Sequence, residues 1–145
     1  MTIMSIVATA VTTVAFGVFR DTTTVTNRRD VFADGRFALD QMTKQLRQAE
    51  SIDVASTATS VSFPSYMNGA ATDIAYQVTG GAAPYTLQRS INSGTWVDIA
   101  NQLVSDEIFT YTDHDGVTDQ VTIAIELQTN TSTVEVHTDV FLRNA

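Results

Sequence analysis

The chain contains no cysteine, two prolines, one tryptophan and a single lysine, Lys44. Without cysteine there can be no disulfide, no Cys-ligated zinc, no iron–sulfur cluster and no thiol chemistry; the compartment stays open. Basic residues of both kinds are few, and the net charge is -8 with a pI near 4.4. Such an acidic surface repels phosphate backbones, so no nucleic-acid partner is expected. No Gly-rich phosphate loop is present, because neither a Lys nor a helix signal follows Gly80-Gly81. The two histidines, His114 and His137, join no Ser/His/Asp arrangement. His137 falls on the polar face of a predicted strand. The expectation is therefore a chain that is not an enzyme and that holds no cofactor and no metal.

Charge is also missing from the whole of Met1 to Phe19 (MTIMSIVATAVTTVAFGVF). As a helix, such a run would rise about 28 Å, close to the hydrocarbon thickness of a bilayer. Three readings apply. A cleaved signal would use Ala8-Thr9-Ala10, but it lacks a basic residue before its apolar stretch, and apolar sequence continues beyond it. A buried interior helix would be long for so small a domain. A single membrane anchor fits best. Arg20, Arg28 and Arg29 follow the span, and the positive-inside rule alone would place the domain in the cytoplasm.

Beyond Phe19 the pattern changes. Arg20 to Asn27 (RDTTTVTN) is rich in β-branched residues, which weaken a helix and predict a bend. From Arg29 to Glu50, Phe32, Gly35, Leu39, Met42, Leu46 and Ala49 recur at steps of three and four, which puts them on one helical face. Asp40 and Lys44 form a favourable i,i+4 pair. Phe37 lies about 140° off that stripe; it sits either at the domain's edge or against a neighbouring subunit.

The remainder reads as strands and turns. Ser60–Phe63 is a short strand stopped by Pro64. Asn68-Gly69, Gly80-Gly81 and Asn92 to Gly94 are turns around strands at 73–78, 85–89 and 95–99. Ala100 to Ser105 reads as a short helical turn, and 108–112 as a strand. The clearest strands are Asp119–Thr129 and Thr133–Arg143, which alternate apolar with polar residues around a hairpin at Asn130 to Ser132. One apolar sheet face needs a cover, and the Phe32–Ala49 stripe is the long amphipathic element that can provide it. The expected fold is α+β: a long N-terminal helix with its apolar half protruding and its amphipathic half packed on an antiparallel β-sheet. Residues 1–28 form the apolar element and 29–145 the globular head.

One stretch invites a metal argument. Asp113, Asp115 and Asp119 in TDHDGVTD resemble the start of a calcium loop. The twelfth-position Glu is replaced by Ala124, and Asp-Gly between strands is a hairpin signal in its own right. The hairpin is the preferred reading. Asn130-Thr131-Ser132 matches a glycosylation sequon, but it also reads as a turn.

The whole chain resembles type IV pilin-like proteins, in particular J-class pseudopilins of type II secretion and W-class minor pilins. The likeness rests on MSIVATAV, then RFALDQMTKQLRQAESI (Arg36 to Ile52), the SVSF, IAYQV and YTLQR strands, IANQLVSDEIFTYTD (Ile99 to Asp113), VTIAI and the closing FLRN. Each piece is loose; their order is specific. The resemblance implies a structural, non-enzymatic filament subunit involved in assembly or initiation, and other pilin-like subunits as partners. It also implies contact with the lipid bilayer through the N-terminal helix, and a single-pass inner-membrane location with the head outside the cytoplasm, at the cell surface once in a filament. The family's basic leader, cleavage-site glycine and following glutamate are not in the sequence, which implies a start upstream of Met1 or a shortened form. The alternative is an anchored surface module that recognises a ligand through its Thr-rich face.

Overall fold

A computed structural model describes residues 29–67, 69–129 and 132–142. One helix, α1, covers residues 29–46. Seven strands follow: β1 Ser60–Met67, β2 Ala70–Thr79, β3 Tyr85–Ile91, β4 Val97–Leu103, β5 Phe109–His114, β6 Val117–Gln128 and β7 Thr133–Phe141. Every strand pair is antiparallel, in the order β1-β2-β3-β4-β6-β5, and β7 pairs with β6 as well.

β6 organises the sheet. Its twelve residues are the longest strand, and Val121, Ile123, Ile125 and Leu127 on one face are fully buried. β7 lies along one edge, from Gln120↔Phe141 to Gln128↔Thr133. The opposite edge takes β5 along its first half and touches β4 at Leu103↔Leu127. β4 reaches both β3 and β6 because Gln102 adopts a left-handed φ of 69° and the β3–β4 register shifts beside it.

Closure comes from the segment between α1 and β1. Glu50 and Asp53 donate their N–H groups to the carbonyls of Pro64 and Ser62, and Ala49 bridges Ser65, so β1's outer edge is covered. The carbonyl of Ala58 then accepts both Ile108 N–H and Phe109 N–H at the start of β5. The sheet thus curls into a nearly closed barrel. Such wrapping removes edges that would otherwise template aggregation.

α1 packs along one flank of this barrel. Gly35, Ala38, Met42, Leu46 and Ala49 are buried, and Leu39 packs partly against the core. Gly35 lets α1 approach β6 closely: a Cβ there would sit 2.2 Å from Leu127 Cδ1, which would have to shift. Gln45 also lies on this face and accepts a short hydrogen bond from the Tyr76 hydroxyl of β2. The helix ends by tightening. Gln48 and Ala49 bond back three residues, to Gln45 and Leu46, and so satisfy carbonyls the α-helical pattern would leave open. The Asp40–Lys44 pair forms at 2.7 Å, but both side chains are exposed and it contributes little.

Several expectations are corrected. The fold is not a long helix laid on a sheet. Among the described residues there is one short helix, strands dominate, and the sheet curves round to near closure. Barrel closure needs backbone bonds from residues 49–58, which carry no periodic pattern. Ala100 to Ser105 is no helical turn: β4 runs through Leu103. Pro64 does not stop β1. Its carbonyl faces outward toward Glu50, so its missing N–H lies on the side away from β2.

The single-pass inner-membrane placement is likewise withdrawn. Among the described residues no helix is long and apolar enough to cross a membrane. α1 carries Arg29, Asp30, Asp34, Arg36, Asp40 and Lys44. The apolar stretch from Met1 to Phe19, on which the anchor rested, lies outside the described residues, as do the weakly helical segment to Asn27 and most of the sequon.

Candidate functional site

The Asp-Gly signal folds as a hairpin. Asp115 and Gly116 take φ values of 53° and 82°, the paired positive angles of a tight turn between β5 and β6. Asp113 is tied down by the Thr118 hydroxyl, which donates to its Oδ1 at 2.6 Å. The Asp115 carboxylate lies 3.9 Å from His114 Nε2, both side chains being exposed. Asp119 supplies a backbone carbonyl to Leu142 N–H. Among the described residues no three His, Asp or Glu side chains group as metal ligands. Asp113 and Asp115 belong to the hairpin, whereas Asp119 lies further along β6, and the structure does not group the three side chains.

This hairpin and residues 51–56 enclose a cavity of about 440 Å³. Its walls carry two carboxylates, Asp53 and Asp113, beside Ile52, Val54, Val117 and Tyr111. Asp53 Oδ1 accepts the Ala55 N–H at 3.0 Å and shapes the turn that leaves Val54 fully exposed. The Tyr111 hydroxyl donates toward the carbonyls of Thr57 and Ser60, at 3.0 and 2.9 Å, and pins the following Thr57–Ser60 turn to β5. Burial pushes its pKa far up, so the phenol stays protonated at any physiological pH. Tyr76, beneath α1, is raised in the same way; the nearby Arg89 cation only partly opposes the desolvation.

A second recess, of about 670 Å³, opens where the end of α1 meets the end of β7. Lys44, Arg47 and Gln48 face Asp139, Phe141 and Leu142 across it. Phe141 is 65% exposed. Asp139 accepts the Thr122 hydroxyl at 2.6 Å. His137 lies on the exposed face of β7, opposite Ala124, as its alternation requires.

The buried phenols cannot serve as bases near neutrality. The hydroxyl–carboxylate pairs Thr118–Asp113 and Thr122–Asp139 have no imidazole joined to them among the described residues. Phe37 stands out from α1 at 64% exposure. Sequence reasoning missed Gln45, whose amide replaces an apolar residue on the buried stripe. Its signal was a polar side chain at stripe spacing, three residues after Met42 and four before Ala49. Comparison with known proteins finds no matching family model, no matching curated protein and no matching solved structure.

Proposed function

We propose that this chain is a non-enzymatic structural subunit of a pilin-like filament, of the minor kind that takes part in assembly or initiation. Support comes from the order of sequence pieces along the chain and from how α1 is rooted. The observation that carries the reading is the seating of α1 in the barrel. Met42 and Leu46 are fully inaccessible, Gly35 is in contact range of Leu127, and Gln45 is bonded to Tyr76. Full burial of two such apolar side chains contributes about 3–6 kcal/mol gross. A load applied through residues preceding Arg29 would be carried into the core rather than into a loop. Such a connection suits a subunit held in an assembly by an uncharged N-terminal segment that packs with the same segment of its neighbours.

Co-purification tests this. The full chain, tagged at its C-terminus and expressed in its own cells, is expected to recover other pilin-like chains. Deletion of residues 1–27 should abolish that recovery while far-UV circular dichroism still reports a folded β-domain. Recovery of glycan or unrelated surface protein alone, unaffected by the deletion, would replace the filament reading with the ligand-binding alternative.

A further inference from the structure

We infer that the outer edge of β7 receives an extended partner segment with basic residues at two positions four apart, which adds a further strand to the sheet. Three observations converge on this edge. First, it is open. Among the described residues β7 pairs only with β6, and no other backbone bond engages Thr133–Phe141. The outer edge of β1, by contrast, is bonded by residues 49–53, and the start of β5 by Ala58. An unpaired edge of this length is a ready template for strand addition.

Second, its solvent face is acidic. Glu135, His137 and Asp139 are exposed, and Glu126 stands directly opposite Glu135 in the β6–β7 register. Like charges in directly opposed positions destabilise a sheet. Among the described residues no Lys or Arg forms an ion pair with any of the three carboxylates. A basic side chain arriving on the same face would relieve that repulsion.

Third, the edge rejects a second copy of itself. Antiparallel self-pairing centred on His137 would set Glu135 against Asp139 twice. Parallel pairing in register would set each acid beside its own copy. The partner must differ in charge. The sign of the local field then changes at the end of β7, where Lys44 and Arg47 lie across the recess from Asp139, Phe141 and Leu142 without forming an ion pair with Asp139. This sets the register: basic residues belong beside 135 and 139, and none belongs beyond 141. The inference uses only the β6–β7 hairpin and the adjoining recess, and it stands whether or not the filament reading does.

The test is calorimetric titration of the full chain with the synthetic peptide Thr-Val-Lys-Val-Thr-Val-Lys-Val-Thr. Its lysine spacing matches Glu135 to Asp139 in either strand direction. Saturable binding is expected, at least ten-fold weaker when both lysines are replaced by glutamate. The chain carrying Glu135→Lys and Asp139→Lys should reverse this preference, and its binding of the glutamate peptide shows that it is folded. N-methylation of one alternate set of peptide nitrogens should abolish binding, and of the other set should spare it, because only one set faces β7. Absence of binding by the lysine peptide at millimolar concentration overturns the inference. So does equal binding by both N-methylated forms, which would reduce the effect to charge attraction without a strand.

Discussion

Gly35 and Leu127 offer the sharpest test of how α1 is seated. A methyl group at residue 35 would lie 2.2 Å from Leu127 Cδ1 and 3.5 Å from its Cγ, well inside contact distance. Leu127 is fully buried, between β7 on one side and Leu103 of β4 on the other, so its side chain has little room to yield. Forcing a methylene into a packed site costs about 1–3 kcal/mol. Alanine in a helix interior returns roughly 0.5–1 kcal/mol relative to glycine. Gly35→Ala should therefore destabilise by up to about 2.5 kcal/mol net. Leu127→Ala alone should cost about 2–5 kcal/mol through lost burial and a residual cavity. The double variant is the informative one. With Cδ1 gone, the methyl introduced at Gly35 fills part of the space Leu127 left. The two effects should then fall short of additivity by about 1–3 kcal/mol, the range expected for side chains in direct contact. Urea unfolding of the four chains, followed by far-UV circular dichroism, measures the cycle. Additivity within about 0.5 kcal/mol, or a stabilising Gly35→Ala, would show that α1 does not press on β6 at this point.

Other substitutions probe separate features. Gly116 has φ +82° and nothing within 4 Å of its missing Cβ; Gly116→Ala should thus cost about 1–2 kcal/mol from backbone strain alone, read as a lowered Tm. The raised pKa values of Tyr76 and Tyr111 mean that the folded chain holds these phenolic protons more tightly than the unfolded chain. Stability should be level below the ordinary phenol value of about 10 and fall as pH rises through it. Tyr111→Phe should flatten that fall in a pH series of urea midpoints. Glu135→Gln should raise the stability of the isolated chain by about 0.2–1 kcal/mol, since it removes half of the opposed Glu126–Glu135 pair. Phe37→Ala should leave stability unchanged within about 0.5 kcal/mol, because the ring is mostly exposed, yet it should reduce co-purification of other subunits if that face meets a neighbour.

The sequence is most legible where one physical period dominates. Of the six residues the α1 stripe declares, Gly35, Met42, Leu46 and Ala49 are buried, whereas Phe32 and Leu39 are half-buried and Ala38 and Gln45 are buried in addition. Alternation declares Val121, Ile123, Ile125 and Leu127, and the Asp115-Gly116 hairpin follows from dipeptide chemistry alone. The errors share a cause. In Ala100 to Ser105, Ala100 and Leu103 fall at helical spacing, but they are buried because Gln102's positive φ turns β4 from β3 toward β6. A single irregular residue thus imitates a helical period. Pro64 reads as a stop because sequence shows only the missing N–H and not the side of the strand on which it is missing.

The same reasoning explains why the candidate contact surfaces are the least legible part. Closure depends on Glu50, Asp53 and Ala58 acting through their backbones, and backbone partners leave no residue-type signature. Once those bonds cover β1 and the start of β5, β7 is left without a second strand along its whole length among the described residues, and its charges acquire a meaning they lack in the linear chain. Glu126 and Glu135 are nine positions apart in sequence and look like ordinary solvated residues on two polar faces. Only the register that aligns Gln128 with Thr133 sets them opposite each other. Likewise Lys44 and Arg47 read as the solvent side of a helix until Asp139 and Phe141 are placed across from them. A periodic pattern can say which face of an element is wet. Whether that wet face is finished or awaits a partner depends on which edges the closure leaves exposed, and among the described residues the acidic β7 edge is one of them.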